Sequence, residues 1–363
     1  MTKKSLYVHI PFCDHICGYC DFVRVGYLDS LADKYLIELR KDLQQIEGPV
    51  SSIYIGGGTP SSLSEDQLDL LFDSLNHLIN DQIEITCEAN PESLTEEKII
   101  KLKALGVNRI SLGVQSTQDE FLKKLGRLHS YQDVLDVIAL LAKHGLANVS
   151  LDFIYGVPNQ KLEDLENDLK QIINLNPNHI SLYSLTIEPN SEFGRLNVKE
   201  VEPSLETAMY EMIQETLTQA GYDHYEISNF CKENYQSKHN LGYWHYDDFI
   251  GVGIGASSKN GNTRMTNASN LNDYLNGERN YLEVTQLSDQ DLIFEHLMMS
   301  LRLREGINIE SFNKKHKINL LDYYQDQINH FVKRGLLLVS KTHLKASDNG
   351  RLMLHDILVE FMA

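Results

Sequence analysis

Short runs that favour β-structure alternate with longer amphipathic segments over the first two thirds of the chain. In the longer segments, apolar residues recur three and four positions apart, which is typical of helices. Residues typical of helix ends flank these segments. One predicted helix begins at Ser64, and two others run from Thr95 to Gly106 and from Ser204 to Gly221. The shorter runs predict strands beginning at Ser5, Ser51, Ile83, Arg109, Asn148, His179 and His224.

This regular alternation predicts an α/β fold with parallel strands joined by right-handed crossovers. Six strand–helix units and a closing strand are too few for an eight-fold barrel, and they fit an open, partial barrel or a doubly wound sheet. In either fold the chemistry belongs at the C-terminal ends of the strands. We assign residues 1–235 to this core.

The pattern changes after about Asn240. Residues 236–287 are rich in glycine and aromatic residues, and they predict a loop with short extended pieces. From Ser288 the pattern is helical and ends in a strand pair followed by a helix. Residues 288–363 therefore predict a mostly helical, winged-helix-like accessory domain.

Composition and charge narrow the function. The chain has 363 residues, 42% of them hydrophobic, so it can bury at least one sizeable core. The net charge of −18 and the lack of a Lys/Arg-rich run exclude nucleic acid as a partner, because phosphate binding needs a basic surface. No apolar stretch is long enough for a membrane span or a signal peptide, so we expect a cytoplasmic protein with reduced thiols.

Three of the five cysteines have the spacing C-x3-C-x2-C directly after the first predicted strand: Cys13, Cys17 and Cys20. Iron–sulfur clusters are held by cysteine thiolates, usually four. Three thiolates with no evident fourth leave one iron open to a substrate or cofactor. A structural zinc site remains an alternative, and it would need His9 or His15 as the fourth ligand.

Polar and glycine residues occur where the next strands end. Gly57, Gly58 and Thr59 end the second strand, where glycine lets a ligand approach the backbone and free N–H groups can meet its carboxylate or amine. Four more candidates lie at or near later strand ends: Glu88, Gln115, Asp152 and, in a connection, Arg127. Taken alone, each could equally be a solvated loop residue.

The cysteine motif, with Tyr19 just before its last cysteine, resembles the signature of radical S-adenosylmethionine (SAM) enzymes. The segments LYVHIPFC, IYIGGGTPSSL, EANPESL, GVNRISLGVQS, LGRLHS, LDFIYGVP and LYSLTIEPNS are similar to those of the coproporphyrinogen III oxidase-like group, in the same order. The resemblance implies a partial (βα)6 barrel of radical SAM type. It also implies a [4Fe–4S] cluster on the three cysteines, with SAM on the open iron.

The same resemblance implies roles for the other candidates. Tyr7, Gly57 and Glu88 match positions that hold the cluster-bound SAM. A second SAM molecule is held in the oxidase at positions that match Gly58, Thr59, Gln115, Arg127 and Asp152. Whether this chain binds one or two SAM molecules stays open.

Two functions are compatible with this group. One is oxygen-independent coproporphyrinogen III oxidase, a radical enzyme that decarboxylates propionates. The other is a HemW-type heme chaperone, which would bind heme and deliver it to client proteins. The chaperone is favoured because the oxidase has a further cysteine where Phe22 stands here, and because the oxidase carries an N-terminal extension before the position of Tyr7.

The segment HNLGYW, from His239 to Trp244, matches the H-N-x-x-Y-W motif of the chaperone branch. It predicts His239 as an axial heme ligand, since imidazole commonly binds heme iron. The alternative is a capping or surface histidine beside a core tryptophan. Heme-accepting clients would include respiratory enzymes, which implies transient contact with the membrane. We assign no catalytic residue, and a homodimer stays open.

Overall fold

The structure is a computed structural model that describes residues 4–362, and twelve strands of this part form one sheet. The spatial order is β12-β11-β10-β9-β1-β2-β3-β4-β5-β6-β8-β7. The strands are β1 (Ser5–Ile10), β2 (Ser52–Gly57), β3 (Glu84–Ala89), β4 (Arg109–Gln115), β5 (Val149–Tyr155), β6 (His179–Ser184), β7 (Asp223–His224), β8 (Asn229–Cys231), β9 (Phe249–Val252), β10 (Ser257–Asn260), β11 (Thr263–Asn267) and β12 (Tyr281–Gln286).

The first six strands are adjacent and parallel in chain order, as in a partial (βα)6 barrel. Each is followed by helix, and capping side chains begin several helices where the sequence predicts. Ser64 and Thr95 accept hydrogen bonds from the backbone of Gln67 and Lys98, for example. The helices are α1 (Asp29–Leu43), α2 (Glu65–Leu75), α3 (Glu96–Ala104), α4 (Asp119–Leu125), α5 (Tyr131–Lys143), α6 (Leu162–Leu175), α7 (Glu192–Arg195) and α8 (Pro203–Gln219).

Alternation along the strands separates an apolar outside from a polar inside. In β4, Ile110, Leu112 and Val114 belong to the main hydrophobic core, whereas Arg109 and Ser111 alternate with them and face the other way. The same alternation occurs in β3 and β5. The interior of the partial barrel therefore carries the side chains available for chemistry.

The stretch from His224, predicted as one strand, forms two short antiparallel strands, β7 and β8, instead. The chain turns back between them. The segment predicted as a loop with short extended pieces contains helix α9 (Lys238–Trp244), strands β9–β12 and helix α10 (Leu271–Leu275). Its first strand, β9, pairs with β1, so this segment extends the sheet at the β1 edge. Short strands in glycine-rich sequence give too little periodicity to be recognised.

The C-terminal part has its own hydrophobic core, centred on Leu297, Phe312 and Ile357. Its small sheet has the order β13-β15-β14, and the predicted strand pair followed by helix is present. No helix within residues 4–362 is both long and apolar enough to cross a membrane. The elements are α11 (Asp289–Ser300), β13 (Ile307–Asn308), α12 (Ile309–His316), α13 (Leu320–Tyr323), α14 (Gln325–Lys333), β14 (Leu337–Val339), β15 (His343–Ala346), α15 (Asp348–Leu352) and α16 (Leu354–Phe361).

Candidate cofactor site

A cavity of about 700 Å³ opens at the C-terminal ends of the parallel strands. Its size is in the range of sites for small molecules and cofactors. Ten of the sequence-predicted site residues line it: Cys13, Cys17, Cys20, Gly57, Gly58, Thr59, Glu88, Gln115, Arg127 and Asp152. Tyr7 and His239 are not among the lining residues.

The cysteine loop leaves β1 and places all three thiols at the cavity. The Cys13 sulfur accepts a hydrogen bond from the Thr59 hydroxyl at 3.5 Å, and the Cys17 sulfur accepts one from the Arg127 guanidinium at 3.5 Å. Burial raises the pKa of Cys13 to about 11 and also raises that of Cys20. These are soft sulfur donors, which suit an iron–sulfur cluster, and cluster binding would have to displace their protons.

The zinc alternative depends on a fourth ligand. His9 is buried, with Nδ1 3.0 Å from the Tyr7 hydroxyl and Nε2 2.7 Å from the Val23 carbonyl oxygen, so both of its nitrogens are engaged. His15 lines the cavity. Across residues 4–362, no three or more His, Cys, Asp or Glu side chains are placed to hold a single metal ion such as zinc.

Glu88 is the acidic group at the end of β3. One carboxylate oxygen accepts a hydrogen bond from the Tyr54 hydroxyl at 2.7 Å, and the other accepts one from the Gly57 N–H at 3.0 Å. Burial raises the pKa of Glu88 to about 7, which the two hydrogen bonds only partly offset. This carboxyl can therefore gain a negative charge when a cationic group, such as an amine, enters the cavity.

The glycine segment packs tightly against β1. Gly57 has a φ of +114°, and a Cβ there would lie 2.4 Å from the His9 ring. The N–H of Gly57 donates to Glu88, that of Gly58 to the Ile10 carbonyl at 2.8 Å, and that of Thr59 to the Phe12 carbonyl at 2.7 Å. The expectation that free N–H groups here meet a ligand is wrong for these three amides, because each already donates a hydrogen bond within the protein.

The remaining lining candidates are held by defined contacts. Gln115 has a φ of +68°, a strained conformation for a residue with a side chain, at the point where β4 ends. Asp152 accepts hydrogen bonds from Ser111 at 2.6 Å and Ser150 at 2.8 Å. Besides Cys17, the Arg127 guanidinium contacts the Gly113 carbonyl oxygen at 3.0 Å.

His239 lies on α9, where the Glu84 carboxylate accepts hydrogen bonds from the first N–H groups of the helix, including that of His239 at 3.1 Å. The imidazole is 1% exposed, with Nδ1 3.0 Å from the Ser52 hydroxyl and Nε2 2.8 Å from the Tyr243 hydroxyl. Burial lowers the pKa of His239 to about 3. In this conformation the ring has no free nitrogen for a metal.

Tyr7 and Trp244 also lie away from the cavity lining. The Tyr7 ring stacks on Tyr54, with ring centroids 6.2 Å apart. The Trp244 ring lies beneath the Arg302 guanidinium, which is 5.7 Å from the ring centroid. Trp244 thus contacts the C-terminal part of the chain.

Tyr54 and Arg109 are among the lining residues that sequence reasoning missed, and both face the inside of the barrel. The signal was present, since each alternates with apolar residues along its strand. Polar residues in such a register face the inside of a barrel.

Similarity to known proteins places the chain in a family. The Radical SAM superfamily profile matches residues 7–172, and that of the HemN C-terminal domain matches residues 287–353. The heme chaperone HemW of Bacillus subtilis (strain 168) is 34% identical over 377 residues, which cover 99% of both chains. The HemW of Escherichia coli (strain K12) is 36% identical over 377 residues, covering 100% of this chain and 99% of the other. This chain belongs to the HemW family of radical SAM proteins.

Among solved structures, the chain resembles the Escherichia coli radical SAM enzyme coproporphyrinogen III oxidase (HemN), with a TM-score of 0.87. The likeness covers 99% of this chain and 90% of that enzyme, at 23% sequence identity. It confirms the predicted fold class, a radical SAM partial barrel with a HemN-type C-terminal domain. At this identity it shows the fold alone.

Proposed function

We propose that this chain is a heme chaperone that binds a [4Fe–4S] cluster, SAM and heme, and delivers heme to client proteins. The observation that carries the proposal is the full-length likeness, at 34–36% identity, to proteins named heme chaperone HemW. The single cavity that collects the three cysteine thiols supports the cofactor part of the proposal. The Phe22 position supports chaperone over oxidase, because the oxidase-like pattern has a cysteine there.

In this proposal Cys13, Cys17 and Cys20 hold the cluster. When bound, it supplies an open iron for SAM and electrons for cleaving a carbon–sulfur bond. Glu88 balances the positive charge of a SAM amine, because the approach of that cation lowers the raised pKa of Glu88 and favours its ionised form. SAM in the cavity is enclosed by Gly57, Gly58, Thr59, Gln115, Arg127 and Asp152. Tyr7 contributes indirectly, because its ring stacks on Tyr54.

Heme binding in this proposal uses His239 as the iron ligand, as the H-N-x-x-Y-W motif suggests. The ring must first give up its contacts with Ser52 and Tyr243, so heme binding is accompanied by a local rearrangement of α9. Such a rearrangement gives a means to hold heme and release it. The clients we propose are heme-accepting proteins, including respiratory enzymes, reached from the cytoplasm.

The test is anaerobic reconstitution of the full chain with iron and sulfide, followed by two parallel assays. Heme titration should give a Soret band with one saturable site, and incubation with coproporphyrinogen III, SAM and a reductant should give no decarboxylated product. An apo-hemoprotein that is then added should acquire heme from the heme-loaded chain. Turnover of coproporphyrinogen III, or the lack of any saturable heme site, would overturn the proposal.

A further inference from the structure

Arg109 stands at the start of β4 on the inward face of the barrel and lines the cavity. Its side chain is 2% exposed and is among the largest fully buried side chains. Within residues 4–362 the guanidinium makes neither a side-chain hydrogen bond nor an ion pair, and its Nε is a buried donor without a partner. A buried, unpaired guanidinium is costly unless a ligand supplies its counter-charge.

Four carboxylates line the cavity, those of Asp21, Glu88, Asp152 and Glu188, and two of them already have other partners. Glu88 accepts from Tyr54 and from the Gly57 backbone, and Asp152 accepts from Ser111 and Ser150. Among the residues that the structure describes, none of the four carboxylates forms an ion pair with Arg109. The guanidinium therefore presents its donors to the cavity instead of to the protein.

The lining of the cavity is also partly apolar. Phe22 and Ile16 line it and are 69% and 41% exposed, and Tyr183 and Leu185 add to the lining. Exposed apolar side chains around a cleft favour a ligand with a broad apolar body. Together with a cationic group inside, they favour an amphipathic ligand that carries a carboxylate.

We propose that Arg109 anchors a carboxylate of the ligand that enters this cavity. A planar guanidinium matches a carboxylate with two parallel hydrogen bonds. The carboxylate is a heme propionate, an identification that rests on the proposed function and is favoured by the apolar lining residues. The methionine carboxylate of a SAM molecule has the same chemistry, and the experiment separates the two sources.

The experiment compares wild type with Arg109→Met and Arg109→Lys in the reconstituted full chain. Heme and heme dimethyl ester, whose propionates carry no charge, are titrated by the Soret band, and SAM by equilibrium dialysis. Arg109→Met should weaken heme binding about ten- to hundredfold, with Arg109→Lys between the two, while ester binding stays unchanged. Arg304→Met, at a half-exposed arginine paired with Asp223, is the control and should change neither affinity.

Thermal unfolding of the apoprotein guards against a folding defect. Removing an unpaired buried charge should leave Tm unchanged or raise it. Weaker SAM binding in Arg109→Met with unchanged heme binding would keep the carboxylate anchor and identify SAM as its source. Equal affinities of wild type and Arg109→Met for both heme and SAM would overturn the inference. An equal loss of affinity for heme and for its dimethyl ester, together with a lowered Tm of Arg109→Met, would also overturn it. Wild-type protein without heme affinity would refute the proposed function separately, and the SAM measurements would still decide the role of Arg109.

Discussion

The ring of Tyr54 lies 5.0 Å from the ring of His239, at an interplanar angle of 33°. The hydroxyl of the same tyrosine donates to Glu88 in the cavity. One side chain on β2 thus connects the cofactor cavity with the helix that carries the H-N-x-x-Y-W motif. A shift of His239 would remove a packing partner of Tyr54, so in the proposed function heme binding would affect the cavity through this side chain.

Replacement of a cluster cysteine should abolish cluster binding. In Cys17→Ser the oxygen is a harder donor than sulfur, and the hydroxyl loses its proton less readily than a thiol. We therefore expect a large fall in bound iron and sulfide after anaerobic reconstitution. The matched control is Cys87→Ser, because Cys87 is a fully buried cysteine of β3 that belongs to the hydrophobic core. Normal iron content in Cys17→Ser would disprove the ligand assignment.

Glu88→Gln should change how stability depends on pH. The pKa of Glu88 is raised from 4.5 to about 7 in the folded chain, so folding favours its protonated form. That contribution is complete below pH 4.5 and is lost as the pH rises through 7. Between these pH values the free energy of unfolding of wild type should fall by on the order of 3 kcal/mol relative to that of Glu88→Gln. The fall is smaller where water reaches the carboxyl group.

The measurement is urea unfolding of both apoproteins from pH 4.5 to 8. An exposed glutamate of α3, Glu97, supplies the control variant Glu97→Gln, whose stability should follow wild type across the range. A difference between wild type and Glu88→Gln that does not change with pH would show that Glu88 has no shifted pKa.

Tyr243→Phe tests whether His239 must leave its hydrogen bonds to bind heme. The variant removes the hydroxyl that contacts Nε2, so the ring gives up one hydrogen bond fewer on binding iron. One such bond is worth about 1 kcal/mol, and heme affinity should rise about fivefold in a Soret titration. His239→Ala should lose most of the affinity.

Tyr323→Phe, at an exposed tyrosine of the C-terminal part, should leave heme affinity unchanged. Unaltered heme binding in both His239→Ala and Tyr243→Phe would mean that the ring stays in its present position and that another residue binds the iron.

Gly57→Ala should destabilise the chain strongly. A Cβ at this position lies 2.4 Å from the buried His9 ring, and the φ of +114° is strained for alanine. Gly48→Ala is the matched control, since Gly48 also has a positive φ, +80°, but open space around it. In urea unfolding, we expect the control to lower the free energy of unfolding by roughly 1–2 kcal/mol and Gly57→Ala to lower it by clearly more. Equal costs would show that the His9 contact is unimportant.

The sequence predicted the six parallel strands and the cavity lining well, for a local reason. Strand and helix periodicity, capping residues such as Ser64 and the C-x3-C-x2-C spacing are all properties of neighbouring positions. Because parallel strands end at one edge of a sheet, residues as distant as Cys13 and Asp152 could be placed together from their strand positions alone. The segment from His239 to Gln286 was less well predicted, since its short strands gain their stability by pairing with β1.

Residue types and spacings in the sequence by itself determined the fold class, the candidate cluster cysteines and the candidate acids. The tertiary structure alone decided which polar atoms remain available. It engaged the backbone N–H groups of the glycine segment and both nitrogens of His239, and it left the buried Nε of Arg109 without a partner in the described part of the chain. Hydrogen-bond partners in these cases come from distant strands, such as Ser52 for His239. Whether a donor is satisfied is therefore settled only when the strands close around it.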